Sequence, residues 1–179
     1  MSKKGPQFER DFARDLGFWW TKGKSNQIFW RTSQSGGRMT TLAKKGESGK
    51  FHHGDICAID PSGQPLIDFC TIELKIGYPR ASIMELLDRP LNCKTVPKYS
   101  EWIAKARRQA ELSESYGWML VHRHDRREAL VFMPIYVFSA LELEPDASFA
   151  DDLGCVRLKA FFDVDPDIIR TFQAEREIS

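Results

Sequence analysis

The sequence predicts an α/β domain, and three observations lead there. Segments with helical and with strand periodicity alternate along the chain, separated by Gly- and Pro-rich turns. Two of the helical segments carry a one-sided apolar stripe, the pattern of helices laid against a sheet. The run Phe69-Cys70-Thr71-Ile72-Glu73-Leu74-Lys75-Ile76 is apolar enough for a central strand, yet it holds two charges. The 179 residues suffice for one such domain, 1–179, and are too few for two comfortable ones.

The elements follow in order. Gly5-Pro6 opens a helix over about residues 7–16, with Phe8, Phe12 and Leu16 in register and Gly17 as its stop. A strand is expected over about 27–33, ended by Ser35-Gly36-Gly37, and then a polar loop over 38–53. Residues 55–60 and 66–76 read as two strands joined by the turn Pro61-Ser62-Gly63-Gln64, hence a hairpin. Residues 77–100 contain Pro79, Pro90 and Pro97 and read as a variable insertion with one helical turn near 83–87. A long helix over 99–115 puts Trp102, Ala106, Ala110 and Ser113 on one face. Strands over 118–124 and 129–135 form a second hairpin about Asp125-Arg126-Arg127-Glu128. The C-terminal part, 136–179, reads as an extension with a strand over 156–162 and a helix over 166–175.

The net charge of +1 conceals segregation. Residues 1–50 hold 11 Lys/Arg against 4 Asp/Glu, and residues 89–127 hold 9 against 4. Between them, residues 51–88 hold 2 against 6, and the tail 128–179 holds 4 against 11. An acidic block bracketed by basic ones is the layout of a cation site inside a groove for a polyanion. No apolar run approaches the length of a membrane span, and the N-terminus lacks the apolar stretch of an export signal. The expectation is a cytoplasmic protein whose Cys57, Cys70, Cys93 and Cys155 stay reduced.

Glu73 and Lys75 are two residues apart on a strand, so both side chains project from one face while Ile72, Leu74 and Ile76 take the other. Asp55 supplies a second carboxylate from the preceding strand, brought alongside by the hairpin. Hard oxygen ligands of this kind hold Mg²⁺ or Mn²⁺, and a neighbouring ammonium stabilises phosphate charge, as metal-assisted phosphodiester hydrolysis requires. Glu9 falls on the core-facing stripe with Phe12, Ala13 and Leu16, which sets a third carboxylate at the edge of the buried face. Arg31, Ser33 and Ser35 share one strand face and suit phosphate contacts. Lys44 and Lys45 in the polar loop, and Arg107 and Arg108 on the long helix, are further nucleic-acid contacts. Gln109 shares a helix face with Trp102, Lys105 and Ala106.

Other chemistries find less support. His52, His53, Cys57 and Cys70 lie in one stretch, but without the paired spacing of a structural zinc site. There is no G-x-S-x-G elbow and no phosphate-binding G-x-x-x-x-G-K-[ST] loop, so no nucleotide cofactor is expected. A rival of another class is a non-catalytic nucleic-acid-binding or assembly protein, with Phe18, Trp19, Trp20, Phe29 and Trp30 as stacking surface.

The order of a helix with Glu9, a strand with Arg31 and Ser33, Gly54-Asp55, Glu73-x-Lys75, a helix and a strand pair resembles the PD-(D/E)XK nuclease superfamily over about residues 6–135. The likeness is to its Holliday-junction-resolvase and restriction-endonuclease-like branch. It implies a central mixed β-sheet flanked by helices, and hydrolysis of DNA to 5′-phosphate ends with Mg²⁺, which Mn²⁺ can replace. It also implies that Asp55, Glu73 and Glu9 bind the metal, that Lys75 orients the attacking water and that Gln109 supports the site. A homodimer acting on two-stranded DNA is expected. Gly54 stands where the family has proline, and the length of 77–100 departs from a minimal resolvase.

Overall fold

The structure, a computed structural model, describes residues 4–32, 54–88, 96–150 and 152–178. Helix α1 (Lys4–Trp20) buries Phe8, Phe12, Leu16 and Trp20 along one stripe. It does not stop at Gly17. That glycine lies inside the helix, where a Cβ would come within 2.9 Å of the Asn26 Cα, so its role is close packing of the returning chain.

Strand β1 (Phe29–Arg31) pairs antiparallel with β2 (Ile56–Ala58), Trp30 opposite Cys57. The expected hairpin between 55–60 and 66–76 is therefore not formed: β2 takes β1 as partner. The chain between them turns helical instead. Asp60 Oδ1 accepts the Ser62 N–H at 2.9 Å and opens a 3-10 turn (Pro61–Gly63), which runs into α2 (Gln64–Phe69). Pro61 and Pro65 preset helical φ at the two starts. Leu66, Ile67 and Phe69, which read as strand residues, are buried on a helix.

Strand β3 (Cys70–Ile76) begins a sheet that, among the described residues, has five strands in the order β3, β4 (Gly117–Arg123), β5 (Ala129–Pro134), β7 (Leu153–Arg157) and β6 (Ala147–Phe149). Helix α3 (Lys98–Ser113) is the crossover from β3 to its parallel neighbour β4 (Gly117–Arg123). Residues 77–88 are thus part of a crossover, with a single 3-10 turn at Ile83–Leu86 as the sequence implied. Strand β5 (Ala129–Pro134) returns antiparallel to β4, the predicted second hairpin. Beyond it come α4 (Ile135–Ala140), β6 (Ala147–Phe149), β7 (Leu153–Arg157), α5 (Leu158–Phe162) and α6 (Asp167–Ile178). The strand expected over 156–162 ends at Arg157, and Phe161 is buried from a helix. From the segment 136–179, β7 pairs with β5 inside the sheet. The mixed sheet flanked by helices is the expected α/β, restriction-endonuclease-like fold.

Both faces of the sheet are covered, which explains strands without a polar side. Ile72, Leu74, Met119, Val121 and Val131 pack with α1, α2 and the C-terminal helices. Trp118, Leu120 and Phe132 pack beneath α3 with Tyr99, Trp102 and Ala106. No helix among the described residues is long and apolar enough to cross a membrane.

The chain leaves β3 through an unusual turn. Gly77 has φ +85° and Tyr78 has φ +59°, a left-handed backbone that costs a bulky side chain about 1–3 kcal/mol. Three bonds hold it. The Gly77 N–H donates to Arg123 O at 2.9 Å, and the Ala81 N–H to Tyr78 O at 2.9 Å. His122 Nε2 donates to Gly77 O at 3.0 Å, while its Nδ1 accepts from the Tyr99 hydroxyl at 2.6 Å. Burial pushes the His122 pKa down, so the ring is neutral and can serve as both donor and acceptor.

Candidate active site

Alternation along β3 sends Thr71, Glu73 and Lys75 toward α3, into a face that is otherwise apolar. Glu73 is fully buried. Its Oε1 accepts from Lys75 Nζ on the same strand and from Lys105 Nζ on α3, the latter at 2.5 Å. Its Oε2 is buried and, among the described residues, has no hydrogen-bond partner. A buried carboxylate needs such compensation, because transfer of an isolated charge from water costs many kcal/mol. Lys75 is 16% exposed and Lys105 is 44% exposed, so the second ammonium reaches the surface. Burial disfavours the Lys105 charge, but the hydrogen bond and field of Glu73, with Asp55 behind it, prevail and raise its pKa.

Asp55 reaches the same place by another route than a hairpin. Its N–H donates to Ile72 O at 2.7 Å and its Oδ2 accepts the Leu74 N–H at 2.8 Å. It is thereby clamped to the two residues that flank Glu73, on the edge of β3 that, among the described residues, no other strand of the sheet occupies. Thr32, at the end of β1, braces the clamp: its N–H donates to Asp55 O at 2.8 Å and its hydroxyl to Gly54 O at 2.5 Å. Burial first, and the Glu73 charge second, push the Asp55 pKa up to about 6. The Leu74 N–H and the ammonium groups of Lys75 and Lys105 oppose the rise.

That shift has a sign that can be checked. The folded state holds the Asp55 proton more tightly than the unfolded chain, so this group's contribution is full below about pH 4 and is lost as pH rises through about 6. The loss is about 3 kcal/mol at 1.4 kcal/mol per pKa unit. In metal-free buffer, Asp55→Asn should match the wild type near pH 4 and exceed it in stability at pH 7. Denaturant titrations of both proteins at the two pH values measure the difference. A gap that does not grow with pH would refute the assignment.

The other sequence candidates divide. Glu9 does not join the two carboxylates. Its Oε2 takes an N–H from Arg31 at 3.1 Å, and both side chains are partly exposed. Among the described residues, no three His, Cys, Asp or Glu side chains are grouped to hold a metal. Glu9, expected from the sequence as a third metal carboxylate, has the Arg31 guanidinium as its partner in this structure. Gln109 is buried one turn beyond Lys105, and its Oε1 has no partner. Arg107 and Arg108 are exposed on α3. Ser33, Ser35, Lys44 and Lys45, with His52 and His53, lie outside the described residues. Cys57 and Cys70 are unbridged, and burial raises both thiol pKa values, which opposes the thiolate a zinc site needs.

Lys105 is the residue that sequence reasoning missed. The signal was present: a lysine on the stripe shared by Trp102, Ala106 and Gln109, where an apolar side chain is expected.

The family model described as "phage putative PDDEXK endonuclease" matches residues 1–153. The chain belongs to this PD-(D/E)XK endonuclease family. No curated protein and no solved structure matches it. The endonuclease match takes in β3, α3, β4 and β5 and ends at the first residue of β7. In a PD-(D/E)XK chain the residue before the aspartate is ordinarily proline. Here it is Gly54 with φ +115°, a backbone conformation closed to proline.

The donor set fits a hard divalent cation. Mg²⁺ is commonly held by one or two carboxylates, with water and substrate phosphate completing the octahedron. Asp55 and Glu73 would supply such carboxylates, and among the described residues Glu73 Oε2 is an acceptor without a hydrogen-bond partner.

Proposed function

We propose that this endonuclease-family chain hydrolyses DNA phosphodiester bonds with Mg²⁺, or Mn²⁺ in its place, and leaves 5′-phosphate ends. The observation that carries the reading is the fully buried Glu73 with one oxygen gripped by two lysines and the other unpartnered, beside a clamped Asp55. A binding protein gains nothing from setting a half-buried carboxylate beside a fully buried one, because the two charges repel.

Asp55 and Glu73 would hold the cation, which supplies Lewis-acid polarisation of the phosphate and a more acidic water. Lys75, largely buried, keeps its ammonium fixed beside Glu73 and orients the attacking water. Lys105 is more exposed and sets positive charge where the phosphate oxygens gather charge at the transition state. Arg31, tied to Glu9 at the end of β1, positions the Thr32 brace that fixes Asp55. A two-fold dimer would present one such site to each strand of a duplex or branched substrate.

The binding-module alternative loses most of its stacking surface. Trp20 and Phe29 are fully buried, and Trp19 donates its Nε1–H to Val164 O at 2.8 Å. Among that group only Phe18 and Trp30, each 41% exposed, face solvent.

The test is a panel of labelled linear, single-stranded, nicked, flap and four-way-junction DNAs incubated with Mg²⁺, with Mn²⁺ and with EDTA. Cleavage of at least one substrate in metal and none in EDTA is expected, with 5′-phosphate ends by ligation. Uncut DNA throughout, with tight binding retained, would overturn the nuclease reading and favour the binding module.

A further inference from the structure

The turn that ends β3 holds a tyrosine where the backbone least favours one. Tyr78 follows Lys75 by three residues, so its Cα lies no more than about 11 Å from that of the site lysine. Its φ is positive, a conformation that glycine or asparagine adopts with less strain. Such strain persists only where surrounding structure over-determines it, and it concentrates at functional sites. Here the turn is fastened by Arg123, by Ala81 and by the neutral His122, itself fixed by Tyr99.

The ring that this turn presents is not absorbed by the core. Tyr78 is 45% exposed. It packs edge-on against the buried Trp102, centroids 4.9 Å apart at 66°, so it is held from behind with aromatic surface left to solvent. Trp102 is in turn wedged against Tyr99 and His122. Lys98 of α3, paired with Glu101 at 2.7 Å, and Lys105, bonded to Glu73, both feel the field of the Tyr78 hydroxyl. The assembly is thus an anchored aromatic surface just after the strand that carries Glu73 and Lys75, in the field of the lysine that bonds Glu73.

We propose that Tyr78 is a stacking platform for an unpaired nucleobase next to the scissile phosphate, so that the substrate is DNA with an unstacked base at the cut. The inference rests on the nuclease reading and narrows its substrate class. A base within a continuous duplex has both faces covered by neighbours and offers none to Tyr78. A base in a tail, flap or junction has a free face. Stacking supplies grip without sequence choice, and Lys98 and Lys105 neutralise the adjoining phosphates.

The test is fluorescence anisotropy of the full chain with a blunt duplex and with the same duplex bearing a single-stranded tail, in Ca²⁺. Tyr78→Asn tolerates the positive φ and removes the ring, while Tyr78→Phe keeps the ring. Tyr78→Asn should weaken binding of the tailed duplex about tenfold and of the blunt duplex less than about twofold, with Tyr78→Phe like the wild type. Thermal melts of both variants should match the wild type. Equal losses on both DNAs, or no loss on either, would overturn the proposal. Parallel incubation of the wild type in Mg²⁺ and Mn²⁺ separates the two readings. Cleavage without a Tyr78 effect sinks the platform alone, and a Tyr78-dependent tail preference without cleavage sinks the nuclease alone.

Discussion

Glu73→Gln should lower metal-dependent cleavage by about 10³-fold or more, at saturating DNA and with DNA affinity in Ca²⁺ nearly unchanged. Glutamine keeps the volume and one acceptor, so the geometry of β3 survives. What it removes is the negative charge that holds Lys75 and Lys105 together and that would face the cation through Oε2. Stability should fall as well, by up to about 3 kcal/mol, because Lys75 is left charged and largely buried without its counter-ion. Lys105 is more exposed and can turn to water, which limits the damage. The two effects separate in Glu73→Gln/Lys75→Met, which replaces the ion pair by uncharged groups of similar size. Its melting temperature should recover toward the wild type while cleavage stays absent. Recovery of activity with stability would mean that Glu73 is a structural ion-pair partner and would sink the catalytic reading.

How much of this was legible beforehand differs residue by residue. The Glu73/Lys75 pair was legible because a strand has period two, and two charges inside a seven-residue apolar run stand out on any reading. Asp55 was correctly joined to them, but by a wrong device. A hairpin was expected, whereas Asp55 caps the free edge of β3 from a different ribbon, by one backbone and one side-chain bond to Ile72 and Leu74. Strand partners are long-range choices, and adjacency in sequence did not predict that β2 would pair with β1. Leu66-Ile67 and Val156-to-Phe162 were misread for one reason: a short apolar run fits a strand and a buried helix equally well. Asp60 with Pro61 and Pro65 marked the first as helical, and α2 buries Phe69 against Phe172 of α6, 5.4 Å between centroids. Lys105 stood out locally as a lysine on the stripe of Trp102, Ala106 and Gln109, but its bond to Glu73 depends on where α3 lands on the sheet, which no local pattern states. That Arg31 would pair with Glu9 was not legible either, because the two lie on different elements brought together only by the fold.

Gly54 supports the second large effect, because its replacement strikes fold and site together. Its φ of +115° lies outside the region open to L side chains, and a Cβ there would sit 2.8 Å from Ile72 O and 2.9 Å from Thr71 Cγ2. One of those obstacles is the carbonyl that accepts the Asp55 N–H, so the chain cannot retreat without lifting Asp55 from β3. Gly54→Ala should therefore cost about 3 kcal/mol, roughly a 10 °C drop in melting temperature for a chain of this size. Gly54→Pro, which restores the residue usual in the family, should be at least as damaging, since proline holds φ near −65°. Cleavage per folded molecule should fall too, because both Asp55 bonds to β3 are displaced. The comparison that isolates the site is Thr32→Val, which removes only the hydroxyl bond to Gly54 O. It should lower stability by about 1 kcal/mol and leave Asp55 clamped. If Gly54→Pro melts like the wild type and cuts DNA, the backbone at 54 is free to move and Asp55 is not held as described. Proline before the aspartate is one local solution among others. What the geometry demands is an aspartate delivered edge-on to the strand carrying Glu73, and here only glycine permits the approach.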